Sequence, residues 1–112
     1  MPRRNSPDEI AVAVGDRIRS LRQAAGMSIQ DLAERSAIYS KGHLSNVERG
    51  LVRPNVQTLK QIAEGLGVLP LDLMTFPEQD ARQKVIEATR DLAPRKLAEV
   101  LRLTRTNATR RR

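Results

Sequence analysis

The chain has 112 residues, with 20 Lys and Arg against 13 Asp and Glu, a net charge of +7, one His, one Tyr, one Phe, and neither Cys nor Trp. That length holds one domain with a small appendage, since domains run about 100–150 residues. The absence of Cys excludes disulfides, thiolate zinc sites, iron–sulfur clusters and thiol nucleophiles, and a single His is a poor basis for a metal site or a Ser-His-Asp triad. The excess of basic residues points to an acidic partner, while one Tyr and one Phe are too few for a base-stacking platform. No apolar run approaches the roughly 20 residues that span a bilayer, and no signal-peptide pattern is present. No membrane association, no cofactor and no metal are expected, and the location expected is cytoplasmic, at the nucleoid.

Strand signals are absent and helix punctuation recurs instead. Residues 1–6 are expected to form a disordered basic arm. Ser6-Pro7-Asp8-Glu9 reads as an N-cap, a proline at the first helical position and an acidic pair completing a capping box. Ile10, Val14, Ile18, Leu21 and Ala25 then recur at spacings of three or four, predicting a helix over 7–25 with one buried face and a stop at Gly26. Ser28, with Asp31 three residues on, starts a second helix that runs to about Ser36 and buries Leu32 and Ala33. After Ala37-Ile38-Tyr39, Ser40 is the N-cap of a third helix in which Leu44 and Val47 face inward and Gly50 closes the end. Pro54-Asn55 caps a fourth helix carrying Val56, Leu59, Ile62, Ala63 and Leu66, ended by Gly67, and a short fifth begins near Pro70 with Leu71, Leu73 and Met74. Pro77 marks a boundary, beyond which residues 78–92 and 94–106 read as amphipathic helices parted at Pro94, and residues 107–112 read as a mobile basic tail.

The stretch from Ser28 to Val47 has the arrangement of a helix-turn-helix, in which small Ala33 allows close approach and Leu32, Leu44 and Val47 hold the pair to the core. The other face of the second helix is polar: Lys41, Gly42, Ser45, Asn46 and Arg49. A helix of that size fits the major groove of B-DNA, about 12 Å wide. There Asn46 suits bidentate pairing with adenine N6/N7 and Lys41 donation to guanine O6/N7. On composition alone the same residues describe an ordinary solvated helix face.

From Val14 to Met74 the chain resembles the Cro/C1-type helix-turn-helix family of bacterial and phage DNA-binding transcriptional regulators, also called the XRE family. The resemblance is carried by the segment Gly15 to Arg22, by Met27-Ser28 through Leu32-Ala33, by Leu44-Ser45-Asn46-Val47-Glu48-Arg49-Gly50, and by Pro54 through Thr58-Leu59 to Ile62-Ala63, followed by Gly67-Val68 and Leu71-Asp72. It implies an all-α, lambda-repressor-like domain of five helices over 7–76, with a recognition helix at about 41–48, followed by two short amphipathic helices. It also implies base reading by Lys41, Gly42 and Asn46, phosphate contacts from Ser40, Ser45, Arg49 and Arg53, and a structural pair between Arg22 and Glu48. Tyr39 is open between turn packing and phosphate contact, and His43 between phosphate contact and half-buried packing on the second helix. Three features depart from the family pattern: Ile29 replaces a usual Gln, the turn Ala37 to Ser40 is one residue longer, and Gly42 brings no side chain to a base-facing position.

Residues 1–76 carry a net charge of +2 and residues 77–112 a net charge of +5, which points to non-specific phosphate contacts from the C-terminal part. Residues 77–106 are expected to pair with a second subunit, giving a two-fold reader of an inverted repeat. At 36 residues the segment 77–112 is too small for a separate effector domain, so no small-molecule ligand is expected. The expected function is that of a regulator, most often a repressor, bound to double-stranded DNA, with contact to RNA polymerase as an added possibility. The competing reading is a protein-interaction module, an antitoxin or an adaptor, whose C-terminal helices bind a partner protein. An enzyme is disfavoured, since no nucleophile, base and metal set converges.

Overall fold

Side-chain caps set where the helices begin. In the computed structural model, which describes residues 8–38 and 40–110 and side chains as far as residue 106, the helices are α1 (Glu9–Ala24), α2 (Ile29–Arg35), α3 (Lys41–Glu48), α4 (Val56–Leu66), α5 (Pro70–Leu73), α6 (Ala81–Thr89) and α7 (Pro94–Arg110). Among the described residues there is no strand. Ser28, Ser40, Asn55 and Asp80 each accept a hydrogen bond from the backbone N–H three residues on, at 2.8–3.0 Å. Asp31 completes the box on α2, accepting from the Ser28 N–H at 3.0 Å. At α1 the cap is Asp8, which accepts from the N–H groups of Ile10 and Ala11 at 3.1 and 3.4 Å. The helix therefore starts two residues later than the expected 7–25, and Ser6 and Pro7 lie outside the described residues. A carboxylate that reaches two orphan amides outcompetes an upstream serine as the point of helix entry.

The helix ends share a second device. The N–H groups of Met27, Ile38, Leu51 and Val68 return to the carbonyls of Arg22, Ala33, Asn46 and Ala63 at 2.9–3.1 Å. Each bond passes over a residue in the left-handed region, namely Gly26, Ala37, Gly50 and Gly67, with φ of 71°, 55°, 73° and 74°. Three of the four are glycine. Ala37 takes the same conformation with a Cβ, at an intrinsic cost of about 1–2 kcal/mol, and it does so at the turn between α2 and α3. The turn is further held by Gln61 on α4, whose amide donates to the Ser36 carbonyl at 3.2 Å.

The chain divides into two compact units between Phe76 and Pro77. In the first, α1 to α5 enclose a core of Val14, Ile18, Leu21, Leu32, Ala33, Leu44, Val47, Ile62, Ala63, Leu66 and Leu73, with Leu59, Val52 and Phe76 packed against it. Burying each of the larger side chains contributes roughly 1.5–3 kcal/mol. Four apolar residues lie elsewhere than periodicity suggests: Ile10 and Ala25 at the two ends of α1 are exposed, as are Val56 (83%) at the start of α4 and Leu71 on α5. Met74, just past α5, is exposed as well. Residues in the first or last turn keep the helical phase but have fewer neighbouring elements to cover them. The face of α1 is completed instead by Ala11, Gly15 and Arg17, all buried.

Gly15 marks the closest approach in this unit. A Cβ built there would stand 2.5 Å from the carbonyl oxygens of Val47 and Glu48, so α1 and α3 touch backbone to backbone. Arg17 donates from Nε to the Asp72 carbonyl at 2.8 Å and ties α1 to α5, while the Asp72 carboxylate accepts from the Leu69 N–H at 2.9 Å.

In the second unit, α6 covers Ala81–Thr89, shorter than the expected 78–92, and buries no residue. Pro94 is the first residue of α7, where its missing N–H costs nothing. This helix runs 17 residues to Arg110, so it is not short, and residues 107–110 of the expected mobile tail are helical. No Gly or Pro follows Pro94, and Arg, Leu and Ala favour the helical state. Among the described residues no helix is long and apolar enough to cross a membrane.

Candidate nucleic-acid interface

Helix α3 is two-sided. Leu44 and Val47 are fully buried, and Glu48, one position further round the same side, is 1% exposed. Lys41, Gly42, His43 and Arg49 are exposed, with Ser45 and Asn46 half-buried at the margins. At 100° per residue Gly42, Ser45, Asn46 and Arg49 share the outward face, and Gly42 and Arg49, seven residues apart, lie at its centre. His43 is exposed rather than packed on α2. Ser40 accepts from the His43 N–H at 3.0 Å, so its hydroxyl oxygen already serves the helix. Tyr39 lies outside the described residues.

Gly42 differs from the other close-packed glycines. A Cβ there would meet only the Ser40 hydroxyl, at 3.6 Å, an ordinary contact. At Gly50, by contrast, it would collide with the backbone and side chain of Val12 at 2.7–2.8 Å. The fold therefore accounts for Gly50 and gives no reason for Gly42, where glycine weakens the helix by about 1 kcal/mol relative to alanine.

The inward side of α3 is held by an ion pair that crosses the unit. Arg22 on α1 donates from Nε to Oε2 of Glu48 at 2.7 Å and from Nη2 to Oε1 at 3.0 Å, a bidentate fork. Its third nitrogen, Nη1, donates to the Met27 carbonyl at 2.8 Å, at the entrance to α2. Arg19 approaches Glu48 Oε1 at 3.6 Å from the exposed side. The hydrogen bond to Glu48 raises the Arg22 pKa above its ordinary value against the opposing effect of burial, so the guanidinium stays charged. One carboxylate thus joins α1, α3 and, through Arg22, the start of α2.

Arg53, in the loop after α3, has a different partner. Its Nε donates to the Asp8 carboxylate, whose other oxygen caps α1. The Arg53 side chain remains 60% exposed and Asp8 13%. The guanidinium hydrogen bond, with lesser help from the Ala11 and Ile10 amides and against desolvation, holds the Asp8 carboxyl below its ordinary range. Sequence reading did not find this pair or the Arg17 bond to Asp72, because each partner lies 45 or 55 residues away with no periodic signal linking them. Gly15 did leave a signal: a glycine inside an apolar helical pattern asks for a packing reason.

The family model described as a helix-turn-helix domain matches residues 13–75, more than half of the chain. An uncharacterized HTH-type transcriptional regulator of Mycobacterium tuberculosis is 50% identical over 54 residues, covering 48% of this chain and 38% of that protein. The match therefore spans well under half the length of that relative. The HTH-type transcriptional regulator SutR of Escherichia coli is 35% identical over 80 residues, 71% of this chain and 44% of that protein. Among solved structures, the restriction-modification controller protein C.AhdI from Aeromonas hydrophila is 30% identical with a TM-score of 0.57, over 59% of this chain and 98% of the other. The clp gene regulator ClgR from Corynebacterium glutamicum is 27% identical with a TM-score of 0.58, over 88% and 97%. A domain with a capped, two-sided third helix, a family match across that domain and relatives of one kind lead to one assignment: the chain belongs to the helix-turn-helix family of Cro/C1 (XRE) type, a family of DNA-binding transcriptional regulators rather than enzymes.

Proposed function

We propose that the protein is a sequence-specific regulator, a repressor, that docks α3 in the major groove of double-stranded DNA. The observation that carries this reading is the two-sidedness of α3: every apolar or buried-charge anchor lies inward, and the outward face is polar and unhindered. Asn46 reads adenine and Lys41 guanine through their edges in the groove. Gly42, central on that face and unexplained by packing, lets the helix backbone approach the base edges closely. Ser45, Arg49 and Arg53 contact phosphate, with Ser40 placing the α3 N-terminus and its free amides toward the same strand. Pairing through residues 77–106 presents two recognition helices to an inverted repeat whose half-site centres lie about 10 bp apart, or a multiple of it.

Selection from a random duplex library, followed by titration of the enriched duplex with wild type and Asn46→Ala, tests the reading. A palindrome should emerge, with Asn46→Ala costing about 1–3 kcal/mol at one position of each half-site. Equal binding of every duplex by both proteins would remove specific readout. A stoichiometric protein partner on purification, with no duplex bound at low salt, would favour the adaptor or antitoxin reading instead.

A further inference from the structure

The long C-terminal helix also sorts its residues, less sharply than α3, since Leu103 lies outside its apolar side and is exposed. Leu97, Val100, Leu101 and Thr104 follow the i, i+3, i+4, i+7 rule along one side of α7. Arg95 and Arg102, at i and i+7, lie opposite, and Arg105, with Ala98 beside it, lies between them and Leu101; all three arginines are exposed. The single acidic residue of α7, Glu99, is met by Lys96 at 3.8 Å, one turn back. Glu99 stands within one turn of both Arg95 and Arg102, so the arginine side is a net-positive stripe with one carboxylate at its margin.

We propose that this stripe is a second DNA-binding surface, one that grips the phosphate backbone of a duplex without reading its sequence. The inference rests on the DNA-binding reading of α3 and adds to it a separate surface with a different task. The ten helical steps from Arg95 to Arg105 extend about 15 Å, an axial length over which one strand presents about four phosphates. Arginine is suited to this contact, since its planar fork meets phosphate oxygens two at a time. The first unit carries too little net charge to supply the electrostatic term alone: +2 over residues 1–76 against +5 over residues 77–112. An anionic membrane is the less suitable partner. The apolar side of α7 is interrupted by Thr104 and has no Trp, Tyr or Phe to anchor at a bilayer interface. A second copy seated on Leu97, Val100 and Leu101 leaves Arg95 and Arg102 of both copies turned outward and Arg105 at the edge of the seam.

The test uses the full chain, fluorescence anisotropy and two probes, a random-sequence 30-bp duplex and the duplex enriched by selection, between 50 and 200 mM NaCl. The triple variant Arg95→Gln, Arg102→Gln, Arg105→Gln should lower the salt slope by about 2.7, so that the wild type loses about 40-fold more affinity than the variant across that range. The effect should be the same on both duplexes, leaving their affinity ratio unchanged, and the corresponding Arg→Lys triple variant should keep most of the slope. An unchanged slope in a variant with wild-type helicity overturns the proposal, as does loss of binding to phosphatidylglycerol vesicles with duplex binding intact. A slope change without any Asn46-dependent preference upholds the stripe and sinks the reading of α3. Preference without a slope change does the reverse, and no binding of either duplex at 50 mM salt overturns both.

Discussion

The two sides of α3 are built to different rules, although neighbouring residues along the helix alternate between them. Inward, Leu44, Val47 and Glu48 are sealed against α1 and α2, and even the charge among them is matched by a two-pronged arginine. Outward, Lys41, Gly42, Asn46 and Arg49 have little to do with holding the domain together. In the proposed docking, stability and recognition fall to side chains on different sides of one helix, so one can be altered with little effect on the other. Substitutions can break that separation or sharpen it.

The largest effect is expected from the inward side. Glu48→Ala strands Arg22, whose side chain is 11% exposed, without its carboxylate. Removing one member of such a buried pair costs about 3–5 kcal/mol, and chemical denaturation should show it as a fall in midpoint without a change in slope. A loss under 1 kcal/mol would mean that the pair is ornamental. On the outward side, Asn46→Ala should leave the denaturation midpoint within about 0.5 kcal/mol of wild type, while weakening the selected duplex as described above. A stability loss as large as the binding loss would erase the distinction between the sides.

Two smaller changes form a matched pair. Gly42→Ala meets no clash and restores helix propensity, so it should stabilise by about 0.5–1 kcal/mol. Ala37→Gly should stabilise by a similar amount, about 0.5–1 kcal/mol, by relieving a left-handed alanine, less the added freedom of the unfolded chain. Duplex titration separates them: Gly42→Ala should weaken binding and Ala37→Gly should not. Equal binding by both variants would deny Gly42 a part in docking.

The smallest effect concerns acid. Asp8 has a folded-state pKa below its ordinary value of 3.8, with the Arg53 hydrogen bond the largest cause. Its contribution is therefore complete above that value and is lost as pH falls through the lower, folded-state pKa. A carboxyl carbon titration by NMR should give a midpoint below 3.8, moving up toward it in Arg53→Gln. A midpoint that ignores Arg53→Gln would assign the shift to the helix amides alone.

Much of this arrangement was legible in the sequence. Ser28 with Asp31, Ser40, Asn55 and the glycines after α1, α3 and α4 are local signals, and each cap acts within three residues of itself, so the chain order suffices to read them. Leu32, Leu44 and Val47 could be placed because mid-helix positions are covered from several directions. Val56 and Ile10 could not, since periodicity gives the phase of a helix but not how far its neighbours extend past its ends. The pairing of Arg22 with Glu48 was suggested by family resemblance, not by spacing. The Asp8–Arg53 and Arg17–Asp72 contacts depend on where separate helices come to rest, which no short stretch of residues records. Among the candidate interface residues, the outward order of Gly42, Ser45, Asn46 and Arg49 followed from counting turns, whereas the open space beside Gly42 needed the surrounding atoms.

The backbone contact at Gly15 bears on the proposed docking although it lies on the inward side of α3. With no Cβ between them, α1 and α3 sit as near as two main chains allow. That spacing sets how far α3 projects from the body of the domain. Any larger residue at position 15 would act as a shim, pushing α3 outward and tilting it while every side chain on its outer face stayed the same. If α3 docks as proposed, the depth and angle of its insertion into a groove are governed by a position that touches no nucleotide, and a change there would alter recognition as a whole rather than one base at a time.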